Sequence, residues 1–185
     1  TMVVLRELAL CLVPLAHSLL FTPSGGRSLW DQEGLIVNGT WYMWYDNNYC
    51  KDGKSGAGIS NYGLATSKNG VHWVDKGINM SPWGVNPCKD PTFNSSIPVA
   101  GIGSGSCWES PKEKGKYVIN YSENINGSPF GQQIRFSTSY DLKSWAPASD
   151  VASFHEDGTL YKKGRWDTIM QFTDENNLMH GWWTA

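Results

Sequence analysis

The sequence predicts an all-β fold made of small, repeated antiparallel sheets. Ten Trp, eight Tyr and six Phe in 185 residues, with 20 Gly and nine Pro, favour short strands and many turns over helices. Three segments have the pattern of a β-hairpin, and the first two are each followed by a further strand with the same spacing of Ser and Trp. A chain of this length can form one domain with a substantial core.

The first hairpin is predicted for residues 35–47, LIVNGTWYMWYDN, where Asn-Gly separates two alternating apolar stretches. Asn-Gly in this setting is a strong short-range signal for a hairpin. Residues 115–124, after the polar string PKEKG, have the pattern of the second half of another hairpin. Residues 178–185, after TDENN, have the same pattern and start a third repeat.

The strand that follows each of the first two hairpins carries a repeated signature. A Trp stands six residues after a Ser in both, from Ser67 to Trp73 and from Ser139 to Trp145. This spacing predicts a strand, a tight polar turn and an outer strand whose Trp packs between neighbouring sheets. Repeated small sheets indicate a partial β-propeller of about two and a half antiparallel blades, whereas a two-sheet sandwich would not explain the matching interval.

The composition also limits the partners and the location of the protein. A net charge of −2 gives no reason to expect nucleic acid or an anionic membrane as a partner, and no apolar run is long enough to span a membrane. Residues 1–28 contain Arg6, an apolar run over 8–16 and a small-residue end, which is typical of a signal peptide, although a short apolar helix would fit too. We therefore expect a signal-like or disordered segment there, a propeller domain over 29–185, and a secreted or periplasmic protein.

No metal or cofactor is expected from the sequence. The four cysteines form no CxxC pair, the four histidines show no metal-ligand spacing, and no glycine-rich phosphate loop precedes a helix. The string GIGSGS, residues 101–106, is better explained as a strand that approaches its neighbours closely. A glycan on the sequon at Asn120 would not fit, because this residue lies inside an apolar strand pattern.

Three acids directly follow a Trp at or before the first strand of each predicted hairpin. They are Asp31, Glu109 and Asp167. Each precedes an aromatic residue of the second hairpin strand by an even number of residues, from 12 to 16. Because the first strand of every blade lines the central channel of a propeller, we expect the three carboxylates to converge on one funnel.

Converging carboxylates are suited to acid and base chemistry. Like charges held close together separate the pKa values of the acids, so that one can donate a proton while another stays ionised as base or nucleophile. Cleavage of a glycosidic bond needs such a pair. The adjacent Trp30, Trp108 and Trp166 are expected to stack on sugar rings, and Arg165 to hold a carboxylate or a substrate hydroxyl.

Simpler roles compete for each of these residues. A Trp can fill the core, and the acid beside it can bind a backbone N–H in a turn. Other acids can reach the same funnel: Glu33 lies two residues after Asp31 and would share its face of a regular strand, and Glu123 lies at the end of a predicted strand. Asp90 stands before a Pro in a loop, where turn chemistry is the common role.

These segments resemble successive blades of a known enzyme superfamily. The strings GLIVNGTWYMWYDN and GLATSKNGVHW resemble the first blade of the five-bladed propeller glycoside hydrolases, the superfamily that contains families 32, 43 and 68. KGKYVINYSEN with IRFSTSYDLKSW resembles the second blade, and GRWDTI with GWWTA the opening of the third. The resemblance covers residues 29–185 and implies part of a five-bladed propeller.

The resemblance also implies roles for the three acids. Asp31 would be the nucleophile or base, Glu109 a helper that stabilises charge, and Asp167 the proton donor. The order Asp, Glu, Asp differs from the usual Asp, Asp, Glu of the superfamily, so Asp31 has the closest correspondence. The resulting hypothesis is a glycosidase that acts on an oligo- or polysaccharide, with a non-catalytic carbohydrate-binding propeller and a protein-interaction propeller as alternatives.

Overall fold

A computed structural model of the chain describes residues 21–24, 29–47, 61–80, 99–125, 132–148, 153–155, 159, 166–167 and 169–183. Within these residues it contains ten β-strands and no α-helix, as the composition predicts. The strands are β1 (Trp30–Val37), β2 (Thr40–Asn47), β3 (Asn61–Ser67), β4 (Trp73–Met80), β5 (Val99–Glu109), β6 (Tyr117–Ile125), β7 (Gln132–Ser139), β8 (Ala146–Pro147), β9 (Ile169–Thr173) and β10 (Met179–Trp183).

The strands form three antiparallel sheets. Their orders are β1-β2-β3-β4, β5-β6-β7-β8 and β10-β9, so within each sheet consecutive strands pair with each other. The first strands of successive sheets are neighbours, since β1 lies beside β5 and β5 beside β9. This arrangement confirms the predicted partial propeller of about two and a half blades and differs from that of a two-sheet sandwich.

The turn between β1 and β2 is formed by Asn38 and Gly39. Both residues have positive φ, 49° and 70°, as a two-residue hairpin turn of type I′ requires. Strand register follows directly, with Val37 opposite Thr40 and Leu35 opposite Tyr42. The predicted hairpin over residues 35–47 is therefore confirmed.

The Ser-to-Trp signature builds the same tight turn in both four-stranded sheets. The hydroxyl of Ser67 accepts hydrogen bonds from the backbone N–H groups of Asn69 and Gly70, at 3.2 and 2.9 Å. Ser139 accepts from the N–H groups of Asp141 and Leu142, at 3.2 and 2.8 Å. The third residue after each Ser has a positive φ, 72° at Gly70 and 61° at Leu142, and this conformation reverses the chain toward the outer strand.

A tryptophan pair joins the first two sheets. The ring of Trp145 lies edge-on to the fully buried Trp44, with centroids 5.7 Å apart. Both indole N–H groups donate to the Oδ1 atom of Asn79, at 2.9 and 3.0 Å. Trp145 thus packs between sheets as predicted, whereas Trp73 donates to the carbonyl of Gly70 in its own turn.

A short N-terminal piece packs on the outside of the first sheet. Phe21 lies edge-on to Tyr45 at 5.6 Å, and Ser24 donates through its N–H and its hydroxyl to Asp75, at 2.8 and 2.6 Å. Residues 21–24 of the predicted signal-like or disordered segment therefore contact the domain, and residues 1–20 and 25–28 lie outside the described residues.

Glycines let β5 approach both of its neighbours. A Cβ atom at Gly105 would lie 1.8 Å from the carbonyl oxygen of Asn120 and 2.8 Å from a carboxylate oxygen of Glu33. A Cβ atom at Gly103 would lie 3.0 Å from the hydroxyl of Ser122. The interpretation of GIGSGS as a closely packed strand is confirmed. Asn120 is fully buried, as expected from its strand position.

The β9–β10 hairpin has two different faces. One face contributes Ile169 and Met179 to an apolar cavity of about 210 Å³ against the second sheet. The opposite face is exposed and aromatic, with Phe172 stacked on His180 at 4.9 Å and on Trp182 at 5.2 Å.

Replacement of Gly105 by Ala is expected to destabilise the fold by about 3 kcal/mol, because the new methyl group would overlap the backbone of β6. Gly34→Ala is the matched control, since a Cβ atom there meets only the Tyr42 carbonyl oxygen at 3.7 Å. Urea unfolding measures both free energies. Equal stability of the two variants would contradict the close packing of β5.

Candidate active site

Two β-bulges meet where β1 passes β5. The register of β1 shifts between Trp30 and Glu33, and that of β5 shifts between Gly103 and Gly105. A bulge turns a residue out of the regular alternation of a strand and re-aims its side chain. The residues turned out here are Asp31 and Ser104, and the Ser104 hydroxyl donates to Asp31 Oδ2 at 3.0 Å.

Asp31 is held in an unusual backbone conformation. Its φ of 41° is in the left-handed region, which is uncommon for a residue other than glycine. Its side chain is exposed, whereas Glu33, two residues later, is buried. The bulge therefore separates two acids that a regular strand would place on the same face.

Asp167 lies on the other side of β5. The Ser106 hydroxyl donates to the carbonyl of Ile169 at 2.5 Å, which fixes the level of β9 relative to β5. Asp167 precedes the first residue of β9 by two positions, as Ser104 precedes Ser106 in β5. Asp167 is half-buried, and Gln132 approaches its Oδ1 atom at 3.4 Å.

Glu109 is not brought to this end of the sheets. It is the last residue of β5, five positions beyond Ser104, which corresponds to roughly 16 Å along a strand. Its exposed carboxylate accepts a hydrogen bond from the N–H of Gly115 at 2.7 Å, in the turn between β5 and β6. Glu109 therefore does not converge with Asp31 as expected. It binds a backbone N–H in a turn, which is the simpler role considered for it above.

Two of the tryptophans expected to stack on sugar are in the core. Trp108 is 7% exposed and lies edge-on to Phe136, and Trp166 is 1% exposed and packs with Ile134. Trp166 is therefore closed to a ligand, whereas Trp108 is buried along the apolar cavity between the second sheet and the β9–β10 hairpin. The side chain of Trp30 and all of Arg165 and Asp90 lie outside the described residues.

Glu33 is the acid whose position the sequence did not reveal. Its carboxyl group lies between β3 and β5, beside the hydroxyl of Tyr62 and the N–H of Gly105, and neither of its oxygens has a hydrogen bond of ordinary geometry. The Tyr62 hydroxyl donates instead to the carbonyl of Gly103 at 2.6 Å. Burial raises the pKa of Glu33 well above its usual range, and the negative charges of Asp31 and Asp46 add to this effect.

The other competing acid, Glu123, is held inside the second sheet. It is 2% exposed, accepts a hydrogen bond from Gln133 at 2.9 Å and lies 3.5 Å from Nε of Arg135. These contacts describe a buried ion pair. Among the described residues, no group of three or more His, Cys, Asp or Glu is arranged to hold a metal ion, and no helix is long and apolar enough to cross a membrane.

Comparisons with solved structures match most of the chain, whereas neither protein-family models nor curated proteins gave a match. A fructofuranosidase from Schwanniomyces occidentalis in complex with fructose has a TM-score of 0.61 and 18% identity, over 88% of this chain and 30% of the other. An exo-β-1,3-galactanase from Clostridium thermocellum has a TM-score of 0.58 and 16% identity, over 88% of this chain and 33% of the other. A thermostable family-43 glycoside hydrolase has a TM-score of 0.53 and 16% identity, over 88% of this chain and 43% of the other.

These similarities establish the fold. The solved structures are five-bladed β-propeller glycoside hydrolases, and the present chain has the fold of part of such a propeller. At 16–18% identity the likeness applies to the fold alone. The chain spans less than half the length of these three structures.

Replacement of Glu33 by Gln is expected to stabilise the protein at neutral and alkaline pH. Because its folded-state pKa is raised, Glu33 contributes fully to stability only below its unfolded-state pKa, and this contribution is lost as the pH rises through the folded-state pKa. Gln cannot ionise, so the advantage of the variant should grow by about 1.4 kcal/mol per pH unit over that interval. Urea unfolding at several pH values measures it.

The exposed Glu175→Gln variant is the control and should show no such trend, because Glu175 lies in the β9–β10 turn. A difference between Glu33→Gln and the parent protein that is the same at acidic and alkaline pH would show that Glu33 is not held protonated.

Proposed function

We propose that the protein is, or is part of, a glycoside hydrolase that cleaves a glycosidic bond in an oligo- or polysaccharide. The observation that carries the proposal is the pair of bulges that turns Asp31 out of β1 and hydrogen-bonds it to Ser104. Bulges of this kind are common next to active sites, where they aim a side chain at a ligand. The fold of the solved glycosidases supports the same conclusion.

The chemistry requires two carboxyl groups on opposite sides of one sugar. Asp31 is our candidate for the nucleophile or base, because it is exposed, oriented by Ser104 and placed at the start of the first inner strand. Asp167 is our candidate for the acid that protonates the leaving oxygen as the glycosidic bond breaks. The other carboxylate then attacks the anomeric carbon or removes a proton from the attacking water.

We do not include Glu109 in this machinery, since its carboxylate caps a turn at the far end of β5. Trp30 and Arg165 remain our proposed sugar contacts, because both adjoin the proposed acids in the sequence. We further propose that a carbohydrate is the partner, that no redox cofactor takes part, and that the protein acts outside the cell or in the periplasm. The named relatives act on fructosides and on β-1,3-galactan, which defines a first substrate panel.

One observation favours a second candidate function, carbohydrate binding without catalysis. Phe172, His180 and Trp182 form an exposed stack of nearly parallel rings on β10 and β9, separated by 12–14° in tilt. Flat exposed aromatic faces are suited to the apolar C–H faces of sugars. A propeller of this type would bind glycans through the stack and would not need Asp31 or Asp167.

Replacement of Asp31 by Asn, or of Asp167 by Asn, is expected to lower kcat on a cleavable glycan by about 10²- to 10⁴-fold, because each change removes a carboxyl group that must act as acid, base or nucleophile. Initial rates on the fructoside and galactan panel measure the effect, and circular dichroism checks the fold. Glu175→Gln is the control and should retain the parent rate. Full activity of Asp31→Asn would contradict the proposed chemistry.

The carbohydrate-binding alternative makes a different prediction. If that alternative is correct, Trp182→Ala should weaken glycan binding about tenfold or more, in line with the loss of an aromatic stacking surface, while Asp31→Asn binds as the parent does. Calorimetry with the same glycans measures both. Hydrolysis that depends on Asp31, with binding unaffected by Trp182→Ala, would dismiss the alternative.

A further inference from the structure

The side chain of Glu33 is buried between the first two sheets, two residues after the bulge residue Asp31. Both carboxyl oxygens are inaccessible to solvent and lack a hydrogen bond of ordinary geometry. The space they fill exists because residue 105 is glycine, since a Cβ atom there would lie 2.8 Å from Glu33 Oε1. The donors that border the group are already engaged or poorly aligned, because the Tyr62 hydroxyl is bound to the Gly103 carbonyl.

The groups that face Glu33 come from all four surrounding strands. They are Asp31 on β1, Asp46 on β2, Tyr62 on β3 and Cys107 on β5. Every one of these side chains is neutral or negative in its usual states. A carboxylate at this point would therefore be buried, without a well-aligned donor and beside two other acids, which is an unfavourable setting for a charge in a protein.

We propose that Glu33 is a positioning residue for Asp31. It stays uncharged as a carboxylic acid and packs against the β1 bulge, so that Asp31 carries the negative charge at this end of the strand. Loss of the Glu33 proton disables the site. The proposal rests on the proposed function, because it concerns the same acid. It differs from a catalytic role, since Glu33 faces the inter-sheet wall and does not reach the exposed side of Asp31.

The physical reason is the geometry of the bulge. Asp31 has φ of 41°, a conformation that the surrounding contacts must maintain. The uncharged Glu33 side chain fits against β3 and β5 and anchors the strand two residues later. An ionised Glu33 would be driven to leave this dry space for water, and the short backbone link to Asp31 would transmit that movement to the carboxylate bonded to Ser104.

Infrared spectroscopy tests the protonation state without any need for enzyme activity. The parent protein at neutral pH should show the C=O stretch of a protonated carboxylic acid in a dry site. Glu33→Gln should lack this band, and Glu175→Gln should retain it. The absence of the band in the parent, or its persistence in Glu33→Gln, would overturn the proposal.

Carbon NMR of labelled aspartate tests the link to Asp31. In the parent, the Asp31 carboxyl resonance should shift as the infrared band of Glu33 disappears with rising pH. In Glu33→Gln this shift should be absent. A parent resonance that does not respond when Glu33 ionises would overturn the positioning role, even if Glu33 proves to be protonated.

The pH dependence of hydrolysis tests whether the Glu33 proton is needed for activity. The parent rate should fall at alkaline pH with the loss of the Glu33 proton, and Glu33→Gln should keep its neutral rate to higher pH. An identical alkaline limb in both proteins would overturn the proposal. If no glycan is cleaved by the parent at any pH, the proposed hydrolase function fails, and the infrared and NMR results alone decide the role of Glu33.

Discussion

The close approach of β5 to β1 is the constraint on which the rest of this structure depends. A side chain at residue 105 would overlap the backbone of β6 and the carboxyl group of Glu33, so β5 can approach both β6 and β1 because this residue is glycine. Tyr62 bonds to the Gly103 carbonyl, and Glu33 fills the space that residue 105 vacates. The strand that carries the most glycine thus determines how the two sheets fit together.

This fit explains why acids appear in two different settings within three residues. Because of the bulge in β1, Asp31 is exposed to solvent and Glu33 is buried between the first two sheets. The bulge in β5 places Ser104 within hydrogen-bond distance of Asp31. One acid is then exposed and oriented, and the other is buried and best kept uncharged.

The sequence predicted the elements of the fold well because their signals are local. Asn38-Gly39 requires a two-residue turn, and the spacing from Ser139 to Trp145 reflects one turn closed by the serine hydroxyl. The site was harder to predict because its geometry is not local. Counting every second residue places Asp31 and Glu33 on one face, and only the register shift between β1 and β2 shows that a bulge separates them.

Two other expectations failed for equally physical reasons. Glu109 shares the Trp-acid pattern of Asp31, but β5 is 11 residues long, and its last residue lies far from the level of the bulge. Strand length depends on pairing with β6, which the sequence does not display. Trp108 and Trp166 fill the space between sheets, and the residue type alone does not distinguish a buried ring from a sugar platform.

The central claim is that Asp31 and Asp167 face one sugar from the first and third blades, on either side of β5, and a double-mutant cycle tests it most directly. The affinities of the parent, Asp31→Asn, Asp167→Asn and the double variant for a panel of cationic iminosugars would be measured by calorimetry. Two carboxylates that contact the same cation should give a coupling energy of about 1 kcal/mol or more. Additive losses, or no binding of any iminosugar by the parent protein, would contradict the account.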